Sequence, residues 1–312
     1  MKADFSSIEK NLKPITLNDI EIIKDYLKKF PAENCDFNIC TIYTWGLYFK
    51  LEYTIFNERL FLFNPFYAYL LAPLGEKFTA EELFQINNCC KKIHKNVEIM
   101  VVSDEYVKNT PDLSEYFTII NDLDWNDYVY DLDRLAQLSG KKLAKKKNLI
   151  SQFMRVNPNW KIKNIEKNDI DEIMEFSYYW KELHDVGNAF ISSKQDQSEY
   201  LDIEMEALKL SLQNWEILPN EGIKLYVNDK ICAFAIWSPQ TMDMVTIHYE
   251  KYDPLIKGAG QVINQQTALI LKERFKYANR EQDIGLPGIR QAKRSYQPER
   301  MIPFYRLKVK MN

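Results

Sequence analysis

Histidine is scarce, the cysteines form no spaced pair motif, and no long apolar run occurs in the 312 residues. The three histidines, His94, His184 and His248, stand far apart, which gives a histidine-rich metal site little support. The five cysteines (Cys35, Cys40, Cys89, Cys90, Cys232) are odd in number and contain no CxxC, so neither a zinc site nor a disulfide framework is expected. A reduced, cytoplasmic protein with no metal is the expectation. The longest uncharged stretch, Leu60 to Gly75, is broken by Asn64, Pro65 and Pro73. A membrane helix needs ~20 apolar residues, so no transmembrane segment is expected. Charged residues interrupt every apolar run in the first thirty positions, so no secretory signal is expected there. A basic excess is also missing. With a formal net charge of -3, any contact with nucleic acid or an anionic membrane has to be local.

What is present suits an ordinary globular chain: 46% hydrophobic and 27% charged residues, at a length that suits two domains. The order of elements runs twice. In the first half a helix is predicted over Thr16 to Phe30, strands from Ile39 to Phe63 with a turn at Asn57-Glu58, and a buried strand from Tyr67 to Leu74. A helix from Thr79 to His94 opens with a Thr79/Glu82 capping box, and Val97 to Val102 is a strand. In the second half, helices are predicted at Asn168 to Glu182 and Tyr200 to Trp215. A hairpin turns at Asn228-Asp229-Lys230, and a strand covers Met244 to Glu250. A helix over Gly260 to Phe275, a strand to Asn279, a helix over Pro287 to Arg294 and a strand over Ile302 to Val309 complete it. Hairpin, strand, glycine loop, helix, strand is the order of the GNAT acyltransferase fold. The fold class expected by that analogy is α/β (α+β), two tandem GNAT-like domains with mixed sheets flanked by helices, over 1–125 and 126–312.

Four segments carry candidate chemistry. In Leu255-Ile256-Lys257-Gly258-Ala259-Gly260, Gly258 and Gly260 precede a helix, where backbone N–H groups meet an anion. Acyl-CoA users of the GNAT fold carry Q/R-x-x-G-x-G/A there. The glycines match, but Leu255 stands at the anchoring position, and a plain strand-to-helix turn remains the alternative. On Met244 to Glu250, alternation puts Thr246, His248 and Glu250 on one face, with Glu250 as a candidate general base or else a surface partner of Lys251 or an arginine. In Tyr277 to Pro298, Asp283 precedes a helix whose Arg290, Lys293 and Arg294 share a face, fit for an oxyanion or phosphate, or simply solvated. Finally, Gly140 to Arg155 holds Lys141, Lys142, Lys145, Lys146 and Lys147 with no acid. Leu143, Ile150 and Phe153 face inward and the lysines outward, toward solvent or an anionic partner such as a tRNA backbone or a phospholipid head group.

These segments, together with HYEKYD, GAGQVIN and NREQDIGLPGIRQAKRSYQP, resemble the phosphatidylglycerol lysyltransferase C-terminal domain family from about Asp127 onward. The resemblance implies aminoacyl transfer from aminoacyl-tRNA, with no further cofactor, to a lipid or small soluble acceptor; acyl-CoA is the alternative donor, and a non-catalytic binding module the alternative role. Carried over by motif, GIRQAKRSYQP implies Arg290, Lys293, Ser295 and Tyr296 at the active site, with Asp283 upstream and the lysine-rich helix near the tRNA acceptor end. Glu250, Asp283 and Lys293 are the expected catalytic groups.

Overall fold

In a computed structural model, which describes residues 5, 8–91, 97–187 and 194–310, the chain builds two seven-stranded mixed sheets. The first holds β1 (Lys13–Pro14), β2 (Glu52–Phe56), β3 (Arg59–Asn64), β4 (Tyr69–Leu71), β5 (Glu98–Val102), β6 (Phe117–Asn121) and a strand from far downstream, Tyr305–Val309. The second holds β7 (Asp127–Asp131), β8 (Lys161–Asn164), β9 (Glu221–Val227), β10 (Lys230–Pro239), β11 (Met244–Tyr252), β12 (Tyr277–Asn279) and β13 (Arg300–Ile302). The downstream strand of the first sheet is therefore β14.

Both sheets follow one plan. In the order β1-β2-β3-β4-β5-β14-β6, β4 and β5 run parallel, with β3 antiparallel to β4 and β14 antiparallel to β5. In the order β13-β7-β12-β11-β10-β9-β8, β11 and β12 run parallel, with β10 antiparallel to β11 and β7 antiparallel to β12. Parallel neighbours need a crossover, and each pair has a helix between its strands, Ala80–Cys90 in the first and Ala259–Leu271 in the second. The fold is mixed α/β, two tandem GNAT-like domains with helices flanking each sheet. By compactness, one unit is Met1–Tyr128, Gln282–Arg290 and Met301–Asn312; the other is Val129–Glu281 and Gln291–Arg300. A single cut at 125/126 differs from this division, because two downstream segments fall with the first unit.

Local chemistry accounts for the elements. Asn57-Glu58 and Asn228-Asp229 all take positive φ (48°, 56°, 50° and 62°), the left-handed pair that a two-residue hairpin needs. Thr79 accepts from the Glu82 N–H while Glu82 accepts from the Thr79 N–H, closing the capping box. The tail of that predicted helix, through His94, lies outside the described residues. One expectation fails: Ile39–Tyr48 is a helix rather than a strand, with the Asn38 side chain accepting from the Cys40 N–H at its start. It is buried on most sides, so its apolar run carries no period that distinguishes helix from strand.

Each unit has its own core. In the first, Leu83, Ile86 and Cys90 of the crossover helix pack on Phe61, Phe63, Ile99 and Leu307. In the second, Ile173 and Phe176 from helix Ile170–Gly187 and Leu208 and Leu212 from helix Lys194–Gln213 pack on Phe234, Ile236 and Tyr249. Among the described residues no helix is long and apolar enough to cross a membrane.

Candidate active site

The polar face of β11 organises the second unit. Thr246 Oγ1 donates to Gln240 Oε1 (2.9 Å). His248 sits between Ser238, whose Oγ lies 2.8 Å from Nε2, and Glu281, whose Oε1 lies 2.9 Å from Nδ1. Glu250 accepts from Arg280 Nη2 at 2.9 Å on Oε1 and from Asn264 Nδ2 at 3.2 Å on Oε2. Its side chain is 13% exposed and that of Arg280 12%, so this ion pair is largely, though not fully, withdrawn from solvent. Pairing of β11 with β12 brings it about: Thr246 lies opposite Asn279, and the chain leaves β12 directly into Arg280 and Glu281. Glu281 takes φ of 58°, held by its N–H donating to Asn279 Oδ1 (2.7 Å).

Arg280 is the hub. Burial alone lowers its pKa, but Glu250 reverses the balance and holds the guanidinium charged. Its Cζ lies 5.5 Å from the centre of the Tyr130 ring and 5.2 Å from that of Tyr296. Its carbonyl accepts from Lys293 Nζ at 2.5 Å. Its Nη1 is buried with no hydrogen-bond partner, an uncommon state for so strong a donor. The Asn264 side-chain oxygen is likewise buried and unpartnered.

Lys146 reaches the same ring. Its Nζ stands 3.6 Å from the centre of Tyr296 and donates to Ser295 Oγ at 2.8 Å. Ser295 in turn donates to the Ala292 carbonyl (2.5 Å). The expectation that all five lysines face outward holds for Lys141, Lys142, Lys145 and Lys147, which are exposed, and fails for Lys146. The reason is spacing: Lys146 follows Leu143 by three and precedes Ile150 by four, on the stripe that Phe153 continues. That signal was readable in the sequence.

The remaining candidates have other tasks. Gly258 takes φ of 92°, and a Cβ there would meet the Leu149 carbonyl oxygen at 2.7 Å and Phe153 Cβ at 2.9 Å. A Cβ on Gly260 would meet the Tyr252 ring at 2.8 Å. Both glycines thus let the helix start close to its neighbours, as a strand-to-helix turn, the second of the two expectations for this loop, requires. In the first unit, Asp283 accepts from Tyr128 Oη (2.6 Å), from Arg290 Nε and Nη2 (2.8 Å each) and from the Gly285 N–H (3.0 Å). Burial pushes its pKa up, but Arg290, Tyr128 and Gly285 outweigh it and hold the carboxyl at about 2. So stable a carboxylate is a poor proton acceptor, so of the expected catalytic groups Asp283 is ill suited to act as a base. Arg290 is engaged there and on Asp124 (2.5 Å). Among the described residues, the one cluster of metal-ligand atoms is Cys35, Asp36 and Asp127, within 4.8 Å of one another in the first unit. Cys35 Sγ donates to Asp127 Oδ1 (3.3 Å), and Gln282 Nε2 donates to Cys35 Sγ and to Asp36.

Sequence reading missed Arg280 and Asn264 as site residues: the non-local β11–β12 pairing brings Arg280 to Glu250, and Asn264 reaches it from the crossover helix Ala259–Leu271. Several known proteins share this framework. A solved conserved protein of unknown function from Bacteroides thetaiotaomicron VPI-5482 superposes with a TM-score of 0.84 at 28% identity, over 96% of this chain and 99% of that one. L-PGS from Bacillus licheniformis superposes with a TM-score of 0.60 at 14% identity, over 92% and 90%, a likeness of fold. An uncharacterized protein of Mycoplasmoides gallisepticum is 26% identical over 208 residues, 66% of this chain but only 61% of that protein's length. The profile described as phosphatidylglycerol lysyltransferase, C-terminal, matches residues 29–308. The chain belongs to the phosphatidylglycerol lysyltransferase C-terminal domain family, whose fold and membership support an acyltransferase-type function.

Proposed function

We propose that the chain moves an aminoacyl group from aminoacyl-tRNA to a hydroxyl or amine of a lipid head group or small soluble acceptor, in the cytoplasm where charged tRNA resides. The observation that carries this reading is the largely withdrawn Glu250–Arg280 pair with an unpartnered Arg280 Nη1, beside Lys293 and Lys146. In the reaction, the acceptor oxygen or nitrogen bonds to the ester carbonyl carbon, whose oxygen becomes negative. Arg280 Nη1 is a ready N–H donor for that oxyanion, and Lys293 adds a cation beside it. The carbon–oxygen bond to the tRNA ribose then breaks, and the leaving oxygen takes up the proton the acceptor lost. Glu250 keeps Arg280 charged and oriented; with Oε1 on Arg280 and Oε2 on Asn264, it serves as counter-ion. Ser295 and Tyr296 shape the site, and Lys141, Lys142, Lys145 and Lys147 meet tRNA phosphates. Asp283 and Arg290 brace the fold.

Binding of charged tRNA to the purified protein tests this directly. Four exposed lysines predict a log–log salt slope of about -3. Salt-independent binding, or stabilisation by CoA thioesters and not by charged tRNA, overturns it in favour of an acyl-CoA donor. Binding with no transfer to any acceptor leaves a binding module.

A further inference from the structure

The reaction just described needs a group to take the acceptor's proton, and neither expected carboxylate is free for it. Both oxygens of Glu250 accept hydrogen bonds within its ion pair, and Asp283 is locked by Tyr128, Arg290 and Gly285. Lys146 differs from both. It carries no carboxylate partner, whereas the buried Lys224 pairs with Asp169 and Glu172, and the buried Lys251 with Glu204. Its amine is half-buried, against an aromatic face and a hydroxyl, neither of which neutralises its charge.

The charged and titratable groups facing it come from three elements. Arg280 follows β12, Glu250 lies on β11, and Tyr296 follows helix Pro287–Arg294; on its own helix the neighbouring lysines point outward. Two cations, Lys146 and Arg280, thus share one ring, and the carboxylate nearest both, Glu250, is bonded to Arg280. A second positive charge in such a place is relieved when the amine gives up its proton.

We propose that Lys146, as the neutral amine, is the group that takes the acceptor's proton in aminoacyl transfer. This rests on the transferase reading above. The acceptor's O–H or N–H bond breaks as its oxygen or nitrogen bonds to the ester carbon. The Nζ lone pair takes the proton, and the ammonium returns it to the ribose oxygen as the ester bond cleaves, leaving Nζ neutral again. Ser295 Oγ, an acceptor from Nζ, orients the amine throughout. Burial first, and the Arg280 charge second, pull the Lys146 pKa down to about 8 against a smaller opposing pull from Glu250. That brings a lysine into the range where base catalysis is efficient at cellular pH.

The test uses the full chain with a mixture of charged tRNAs, and phosphatidylglycerol vesicles or glycerol as acceptor. Transfer by the unmodified protein is expected to rise with pH to a plateau above about 8. Lys146→Arg keeps the charge but offers no accessible neutral form, and it should lower transfer roughly 100-fold or more while tRNA binding persists. Lys146→Gln should do the same, and Lys230→Arg, at an exposed lysine of the β9–β10 hairpin, should keep both rate and pH profile. Separately, carbon-13 resonances of labelled lysine side chains should show Lys146 titrating near pH 8, apart from the others. Transfer that survives both Lys146 substitutions with its pH profile unchanged, or titration of Lys146 together with the exposed lysines, overturns the assignment and leaves the transferase reading standing. Charged tRNA that binds without any transfer by the unmodified protein removes both.

Discussion

Two carboxylate–arginine pairs, one in each unit, are alike in their direct contacts and differ in what surrounds them. Asp283 and Arg290 form a closed set: the carboxylate accepts four hydrogen bonds, and Arg290 spends its remaining reach on Asp124. Glu250 and Arg280 are an open set. One nitrogen of the guanidinium and the neighbouring Asn264 amide oxygen are buried with no partner, and the Lys146 amine, without a carboxylate of its own, stands across the Tyr296 ring. Buried polar groups are nearly always satisfied. Satisfaction in one pair and its absence in the other is the difference on which the proposed transferase reading rests.

The comparison can be broken by substitution, beginning with the largest effect. Arg280→Met leaves Glu250 largely withdrawn from solvent without its cation and is expected to lower stability by about 3–5 kcal/mol, read from denaturant midpoints. Adding Glu250→Gln should recover much of that loss; failure to do so means the pair is not what Arg280 contributes. Asp283→Asn is expected to lower stability by about 2 kcal/mol at pH 7, since the folded carboxyl sits near 2 and the unfolded one near 3.8. A depressed carboxyl stabilises above its unfolded pKa, so the difference from the unmodified chain should shrink as pH falls through 4 toward 2. Gly258→Ala forces a Cβ against the Leu149 carbonyl at a left-handed φ and should lower stability by about 1–3 kcal/mol, seen as a lower Tm.

Lys146→Met has the opposite sign. A lysine whose folded pKa is about 8 against 10.5 unfolded weakens the fold while it is charged. Stability of the unmodified chain should therefore rise with pH between those values. The substitution should raise Tm below pH 8 and give no gain above 10.5. A drop in Tm at pH 7 would mean that Lys146 is a packing residue. Lys145→Ala, on the exposed side of the same helix, should leave Tm unchanged and reduce the tRNA salt slope by about 1.

Short-range chemistry was the legible part. The two hairpins and the Thr79/Glu82 box rest on two to four consecutive residues, and all three stand where the sequence puts them. The inward turn of Lys146 was legible too, from its place between Leu143 and Ile150, but a run of five lysines reads more readily as one solvated face. Ile39–Tyr48 was illegible because a segment buried on most sides has no polar face to count by. Arg280 was illegible for a different reason. Its partner lies 30 positions away and is reached only through a parallel strand pairing that no local pattern announces.

The place of β14 has a consequence for how the chain comes to be folded. It lies between β5 and β6 in the interior of the first sheet, pairing with both. No residue before Tyr305 fills that slot, so during synthesis β5 and β6 wait, edges bare, while all the strands of the second sheet are made. The half that begins first is finished last. A nascent chain halted before Tyr305 would expose two open strand edges, which makes it a natural client for chaperones and a hazard for aggregation.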